Sequence, residues 1–208
     1  MFQRRRAGGG RMYIGYTDEQ EALRSELRAY YAELLTPEVE EDLSRSAGVG
    51  PVPRRVWKQM CADGWSGIGW PKEYGGQGRS AIEQFIFFDE SMRAGAPVPM
   101  LSLNTVGPTI MNFGTDAQKE FFLPKILQGE IHFCIGYTEP GAGTDLASLK
   151  TKAVRDGDEY IINGQKIFTS LASDADYVWL ATRTNPEVAK HKGISMFIVP
   201  MNSPGVKV

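Results

Sequence analysis

The chain has 208 residues, of which 42% are hydrophobic and 23% charged, as is usual for a globular protein of one large domain or one and a half. A formal net charge of -2 favours neither nucleic acid nor an anionic membrane as a partner. No apolar run approaches the roughly 18 residues that a membrane span needs. Cys61 and Cys134 lie far apart in apolar segments, which predicts free thiols and a cytoplasmic location.

The first residues, MFQRRRAGGGR, are basic and rich in glycine. They lack the apolar stretch that a secretion signal requires. We predict a disordered extension over residues 1–12, with translation starting at Met12 as a related possibility. A basic tail that contacts an anionic partner is the less favoured alternative.

Residues 13–130 are predicted to form an all-helical domain. Three segments begin with a hydroxyl residue followed three positions later by Gln or Glu, the capping box in which each side chain satisfies a free backbone donor. The pairs are Thr17 with Gln20, Ser80 with Glu83, and Thr115 with Gln118. Apolar residues then recur at helical spacing after each pair.

Further helices are predicted from Pro53 to about Asp63 and over residues 101–113. Gly95 is expected to end the helix that Ser80 begins. Pro124 is expected to kink or divide the last helix, because proline lacks the backbone N–H that a helix interior needs.

Residues 131–208 change to short apolar runs and period-two alternation, which predicts an antiparallel β-domain and hence an α+β fold. Asp156-Gly157 and Asn163-Gly164 are typical of hairpin turns. The runs DYVWLATRT and GISMFIVP indicate two further strands. Because four or five strands would leave an edge and a face uncovered, we expect this domain to be truncated and the chain to be part of a longer protein.

Two other signals are weak in their context. The run Gly76-Gln77-Gly78-Arg79-Ser80-Ala81 matches a dinucleotide-binding fingerprint, but no strand precedes it, so a loop before a helix is predicted. His132 and His191 have no carboxylate or cysteine at ligand spacing, so no metal site is predicted.

The stretch YTEPGAGTDLASLKT, residues 137–151, mixes glycine, proline and hydroxyl residues between two predicted strands. Gly141 and Gly143 permit positive φ and the close approach of a bound group, and Thr138 and Thr144 can donate to ring or phosphate oxygens. A loop without a ligand accounts for the glycines and the proline. It explains poorly why hydroxyls bracket both glycines.

The longer segment YTEPGAGTDLASLKTKAVRDGDEYIINGQKIFTS resembles the flavin-binding signature of the acyl-CoA dehydrogenases. The resemblance runs from about residue 13 to the end and includes GWPKEYGGQG and FGTDAQKEFFLPKILQGE. GAPVPMLSLNTVGPT and DYVWLATRTNPEVAKHKGIS are most similar to the actinobacterial branch that acts on steroid side chains, often as pairs of related subunits. The family fold is a helical N-terminal domain, a β-domain and a C-terminal helical bundle, and that bundle is absent from this chain.

The resemblance implies FAD as the cofactor. Tyr137 and Thr138 are expected to line the isoalloxazine ring, with Thr138 bonding its pyrimidine edge. Gly143 and Thr144 are expected at the pyrophosphate, where Thr144 also reaches the pantetheine of the substrate. Glu139 is expected to order this loop rather than to act as a base.

The resemblance also places Phe168, Thr169 and Ser170 in a strand against the flavin, with the Ser170 hydroxyl near the reactive ring nitrogen. Hydrogen-bond donors at that nitrogen stabilise the charge that develops as hydride arrives. Four residues depart from the usual pattern without removing FAD binding. They are Thr144 for serine, Phe168 for tryptophan, Ser170 for threonine, and Leu171 for a small residue.

The implied reaction removes the α-proton and transfers the β-hydride to FAD, converting an acyl-CoA to the trans-2-enoyl-CoA. The family's base is a carboxylate of the missing bundle, so no catalytic residue is assigned in this chain, which is expected to be inactive by itself. An electron-transfer acceptor protein and a homo- or heterotetramer are the implied partners.

Two alternatives stay open. The first is a flavin oxidase or monooxygenase on the same scaffold. The second is a non-catalytic or cofactor-bearing subunit of a heteromeric acyl-CoA dehydrogenase. The intact 138–144 motif argues against a purely structural subunit, which has no need of it.

Overall fold

The structure is a computed structural model that describes residues 15–208. The predicted extension over residues 1–12 lies outside the described residues. Six α-helices occupy the first part of the described chain, and five strands follow. The helices are α1 Asp18–Leu34, α2 Pro37–Ser46, α3 Pro51–Ala62, α4 Ala81–Ala94, α5 Gly107–Phe113 and α6 Asp116–Leu127.

All three predicted capping boxes are confirmed, at the starts of α1, α4 and α6. In each, the hydroxyl oxygen of the first residue accepts a hydrogen bond from the backbone N–H of the residue three positions later. The side chain of that later residue accepts in return from the backbone N–H of the first. Gly95 ends α4 in the left-handed conformation, with φ of 71°. These boundaries were predictable because each depends on residues within one helical turn.

The remaining helices differ from the prediction in detail. Helix α2, which was not predicted, begins where the Thr36 hydroxyl accepts from the Val39 N–H. Helix α3 begins at Pro51 rather than Pro53, and a five-residue π-helical turn, Ser102–Val106, precedes α5. Helix α6 runs through Pro124 as one element. Glu120, whose carbonyl loses its donor at Pro124, is exposed, so water can satisfy that carbonyl.

One buried cluster joins the helices to the sheet. Its fully buried members include Trp57 of α3 and Phe87 of α4, and it extends to Phe133 and Trp179 of the sheet. A buried charge also links helices, because Glu90 of α4 accepts from Arg24 and Arg28 of α1 at 2.9 and 2.8 Å. The guanidinium partners offset the cost of burying that carboxylate.

The strands are β1 Phe133–Gly136, β2 Lys152–Asp156, β3 Glu159–Asn163, β4 Tyr177–Arg183 and β5 Ile194–Pro200. β4 is central, since β5 pairs along its whole length on one edge. β1 and the start of β2 pair with successive parts of β4 on the other edge. The loop after β1 therefore lies near the loop that enters β2.

The sheet is mixed, which corrects the prediction of purely antiparallel pairing. β2–β3 and β4–β5 are antiparallel, but β1–β4 and β2–β4 are parallel. Side chains alternate with period two in both kinds of pairing, so the sequence pattern could not separate them. Residues 137–176 form a long connection between β1 and β4, which allows the two strands to run in the same direction.

Only the first of the two predicted hairpins is confirmed. β2 and β3 join through Asp156-Gly157, where Gly157 has φ of 62°. β3 ends at Asn163 without a returning strand. Gly164 serves instead as a point of close approach, because a Cβ there would lie 2.6 Å from the Thr151 Cα.

Among residues 15–208, no helix is long and apolar enough to cross a membrane. Cys61 and Cys134 are both free thiols, as the sequence predicted.

Candidate functional site

A tight turn follows β1 in the glycine-rich stretch. The Glu139 N–H donates to the Ala142 carbonyl at 2.9 Å, and the Ala142 N–H donates back to the Glu139 carbonyl at 3.1 Å. Pro140 and Gly141 form its tip. The turn is thus closed by its own backbone.

The Glu139 carboxylate, 7% exposed, connects this turn to two other segments. It accepts from the Lys150 and Thr151 amides at 2.6 and 2.9 Å and from the Lys166 Nζ at 2.8 Å. Burial alone would raise the pKa of Glu139, but the hydrogen bonds from Lys166 and the two amides outweigh it and lower the pKa to about 2. Its geometry fits the predicted role of ordering the loop.

This carboxylate predicts a specific acid sensitivity. Because the folded-state pKa of about 2 lies below the reference value of 4.5, its stabilisation is fully present above about pH 4.5 and is lost as pH falls towards 2. We expect Glu139→Gln to lower Tm at neutral pH and to flatten the fall of Tm between those values. Thermal melts across this range measure it, with Glu33→Gln, an exposed carboxylate of α1, as the control. Equal acid slopes for wild type and Glu139→Gln would contradict the assignment.

The segment after β3 lies against the segment after β1. The Ile167 N–H donates to the Thr138 carbonyl at 2.9 Å, and Lys166 Nζ donates to the Tyr137 carbonyl at 3.0 Å. The Tyr137 hydroxyl in turn accepts from the Trp179 indole of β4 at 3.2 Å. The predicted cofactor residues Tyr137 and Thr138 therefore lie beside the backbone segment that leads to Phe168.

The strand predicted for Phe168, Thr169 and Ser170 is wrong in this structure. Phe168 has φ of 55° and Leu171 φ of 64°, and the Ser170 N–H donates to the Phe168 carbonyl across a tight turn. Left-handed backbone costs a non-glycine residue about 1 kcal/mol. Arg54 of α3 pairs with the carboxylates of Asp174 and Asp176, which holds the end of this segment against the helices.

The predicted residues differ in exposure. Phe168 is 85% exposed, and Gly143, Thr144 and Ser170 are exposed too, whereas Tyr137, Thr138 and Thr169 are half-buried. A phenyl ring this exposed gains nothing from burial in the protein itself. Phe168 is therefore available to contact a bound apolar ring.

Gly141 and Gly143 do not use the positive φ that the sequence suggested, since neither lies in the left-handed region. A Cβ added to either would meet nothing within 4 Å among the described residues. The turn itself therefore does not require glycine at these positions. What glycine provides here is open space beside exposed backbone.

A basic cavity of about 480 Å³ lies beside this loop. Four cationic side chains line it, from Lys150, Lys152, Arg183 and Lys190. Asp145, next to Thr144, receives a 2.5 Å bond from Lys190, and hydrogen bonds from Lys190 and Ser148 lower the pKa of Asp145. Such a cavity suits a phosphorylated ligand.

Lys166 and Arg183 are site residues that sequence reasoning missed. Arg183 donates to the Ala147 and Leu149 carbonyls at 2.5 and 3.3 Å, which fixes the loop leading to β2. For Lys166, the available signal was a single lysine beside the apolar pair Ile167 and Phe168. No group of three or more His, Cys, Asp or Glu side chains arranged to hold a metal occurs within the described part of the chain.

A helical domain followed by a mixed sheet, with a glycine-rich loop after the first strand, defines a class of protein, and comparison with known proteins identifies that class. Profiles described as acyl-CoA dehydrogenase N-terminal domain and acyl-CoA dehydrogenase middle domain match residues 17–130 and 134–208. The chain belongs to the acyl-CoA dehydrogenase family. The resemblance inferred from the sequence is confirmed.

Several mycobacterial and steroid-related proteins are similar to this chain. Acyl-CoA dehydrogenase FadE26 of Mycobacterium tuberculosis is 62% identical over 93% of this chain and 50% of its own length. The ChsE4-ChsE5 complex of the same species matches with a TM-score of 0.86 and 62% identity, over 92% of this chain and 49% of that one. The Tcur3481-Tcur3483 steroid ACAD matches with a TM-score of 0.87 and 56% identity, over 93% and 50%. The chain thus spans about half the length of the relatives it matches.

Proposed function

We propose that the protein is the N-terminal part of an FAD-dependent acyl-CoA dehydrogenase. The observation that carries this proposal is the loop at residues 137–144. The turn there is closed by its own backbone hydrogen bonds, and open space lies beside Gly141 and Gly143, where the fold does not require glycine. The exposed Phe168 directly follows Ile167, whose N–H bonds this loop. Exposed amides and hydroxyls beside such space suit a dinucleotide cofactor.

The residues fit FAD in the following roles. Thr138 and Tyr137 hold the ring, Gly143 and Thr144 admit and bond the pyrophosphate, and Phe168 with Thr169 and Ser170 covers the reactive face. Bound FAD supplies the acceptor for the β-hydrogen of the substrate. The α-proton needs a base, for which we assign no residue of this chain.

The substrate we propose is an acyl-CoA thioester. The cavity lined by Lys150, Lys152, Arg183 and Lys190 offers cations to the phosphates of coenzyme A, and Thr144 lies on the loop beside it. Charge-assisted bonds to phosphate are about twice as strong as neutral ones. The acyl chain is proposed to belong to a steroid side chain, as the name of the Tcur3481-Tcur3483 relative suggests.

The assembly we propose is heteromeric, with a related subunit as partner and an electron-transfer protein as the final acceptor. Support comes from the ChsE4-ChsE5 and Tcur3481-Tcur3483 structures, which are described as paired proteins.

The test is to purify the complete protein, alone and together with a paralogue proposed as its partner subunit, and to record the visible spectrum. We expect bound flavin that bleaches anaerobically with a steroid side-chain acyl-CoA, yielding a product two hydrogens lighter by mass spectrometry. Bleaching only with the paralogue present would identify a cofactor-bearing subunit. Rapid oxygen consumption would favour the oxidase alternative, and a protein that takes up no FAD would refute the proposal.

A further inference from the structure

A buried cation lies behind the segment proposed to hold the flavin ring. The Lys166 side chain is 10% exposed, and its Nζ lies 2.8 Å from Glu139 Oε1 and 3.0 Å from the Tyr137 carbonyl oxygen. Lysine is almost never this buried unless it is paired. The family resemblance assigned Lys166 no role.

The pairing is more than charge neutralisation. Glu139 already accepts from two backbone amides, so its carboxylate has partners without the lysine. Burying both ions costs several kcal/mol per ion before their attraction is counted, and well-packed apolar side chains often serve stability as well. Compared with apolar side chains of similar size, the ion pair therefore gains little stability, and what it adds is a fixed orientation of the groups it bonds.

The orientation is fixed at the Tyr137 carbonyl, to which Lys166 Nζ donates. This carbonyl and the Thr138 N–H belong to one planar peptide group, so an ammonium bonded to the oxygen polarises the N–H at the other end. The Thr138 carbonyl is held independently by the Ile167 N–H at 2.9 Å. Both peptide groups that flank Thr138 are thus fixed by residues 166 and 167.

We propose that Lys166 is a positioning residue for FAD, which orients the 137–138 peptide and strengthens its N–H as a donor toward the flavin ring. The proposal rests on the proposed function, in which this peptide faces the cofactor. Lys166 acts through Tyr137 and Thr138 and does not touch the reacting atoms.

Lys166→Met tests this, because it keeps the length of the side chain and removes its charge. The complete protein is titrated with FAD, and the Kd, the visible spectrum and the midpoint potential of the bound flavin are measured. We expect Kd to rise about tenfold, because the Thr138 N–H becomes a weaker and less well oriented donor to the flavin ring. The flavin bands should shift and the potential should become more negative, as a weaker donor stabilises the reduced ring less. Lys166→Arg should recover part of each change, because it restores the cation.

Lys58→Met is the matched control, since Lys58 is an exposed lysine of α3. It should leave Kd, spectrum and potential unchanged. A Lys166→Met protein with wild-type Kd, spectrum and potential would overturn the inference, even if its Tm were lower. If that variant does not fold, Lys166→Gln replaces it, and wild-type values there overturn the inference equally. Wild-type protein that binds no FAD would refute the proposed function instead.

Discussion

Gly143→Val is expected to weaken FAD binding strongly while leaving the fold intact. Gly143 has no left-handed φ, and a Cβ there would meet nothing within 4 Å, so the protein itself tolerates the substitution. The branched side chain would instead occupy the space proposed for the pyrophosphate. We expect FAD affinity to fall at least about tenfold, with Tm of the FAD-free protein unchanged. Fluorescence titration with FAD and a thermal melt without it measure the two effects.

Gly157→Ala provides the opposite control. Gly157 has φ of 62° in the β2–β3 turn, and a Cβ there would meet nothing within 4 Å among the described residues, so alanine introduces backbone strain without reaching the proposed site. We expect a loss of about 1 kcal/mol in unfolding free energy and unchanged FAD affinity. Unimpaired FAD binding by Gly143→Val would remove the loop from the cofactor site.

Trp57→Ala is expected to lower the free energy of unfolding by about 3–5 kcal/mol, the range for large aromatic residues in a core. Trp57 is 0% exposed, and its ring lies so close to Gly129 that a Cβ there would be 3.0 Å from it. Its indole N–H is buried with no hydrogen-bond partner among the described residues, so the whole loss reflects packing. Urea denaturation followed by circular dichroism measures the change.

Phe113→Ala is the control for that comparison. Phe113 is 85% exposed at the end of α5, so its removal should change the unfolding free energy by no more than about 0.5 kcal/mol. A loss for Trp57→Ala as small as this would mean that α3 does not anchor the core.

The helical part could largely be predicted because its signals are local. A capping box such as Thr17 with Gln20 is complete within four residues, and a glycine such as Gly95 ends a helix by its own φ. Helix α2 was missed although Thr36 and Pro37 carry the same kind of start signal. Its ten residues hold only two large apolar side chains, Val39 and Leu43, too few for the recurring pattern that indicated the others.

The sheet could be predicted only in part, because strand partners are set far along the chain. Phe133 pairs with Tyr177, and nothing in either local sequence specifies that their strands run parallel. Likewise, the segment that contains the turn at Phe168 is held at its end by Arg54 bonding Asp174, a contact across 120 residues. Local pattern predicted an extended segment there, and tertiary contacts overrode it.

For the candidate site, the sequence indicated the loop but not the hydrogen bonds that hold it in place. The role expected for Glu139 fits its three hydrogen bonds. Lys166 could not be found by the same reasoning, since its importance comes from what it meets in space. The roles of the predicted cofactor residues stay predictions that the titrations above address.

The central position of β4 has a consequence for biosynthesis. β1 ends at Gly136, but its partner strand β4 spans Tyr177–Arg183. β1 therefore has no strand to pair with until the ribosome has added more than forty further residues, the stretch between 136 and 183. Helices α1 to α6 all precede β1 in the chain, so their contacts, including those of Arg24 with Glu90, can form before β4 is made. The glycine-rich loop therefore becomes ordered later than the helices, because the strands on either side of it, β1 and β2, pair with β4, which is made after both.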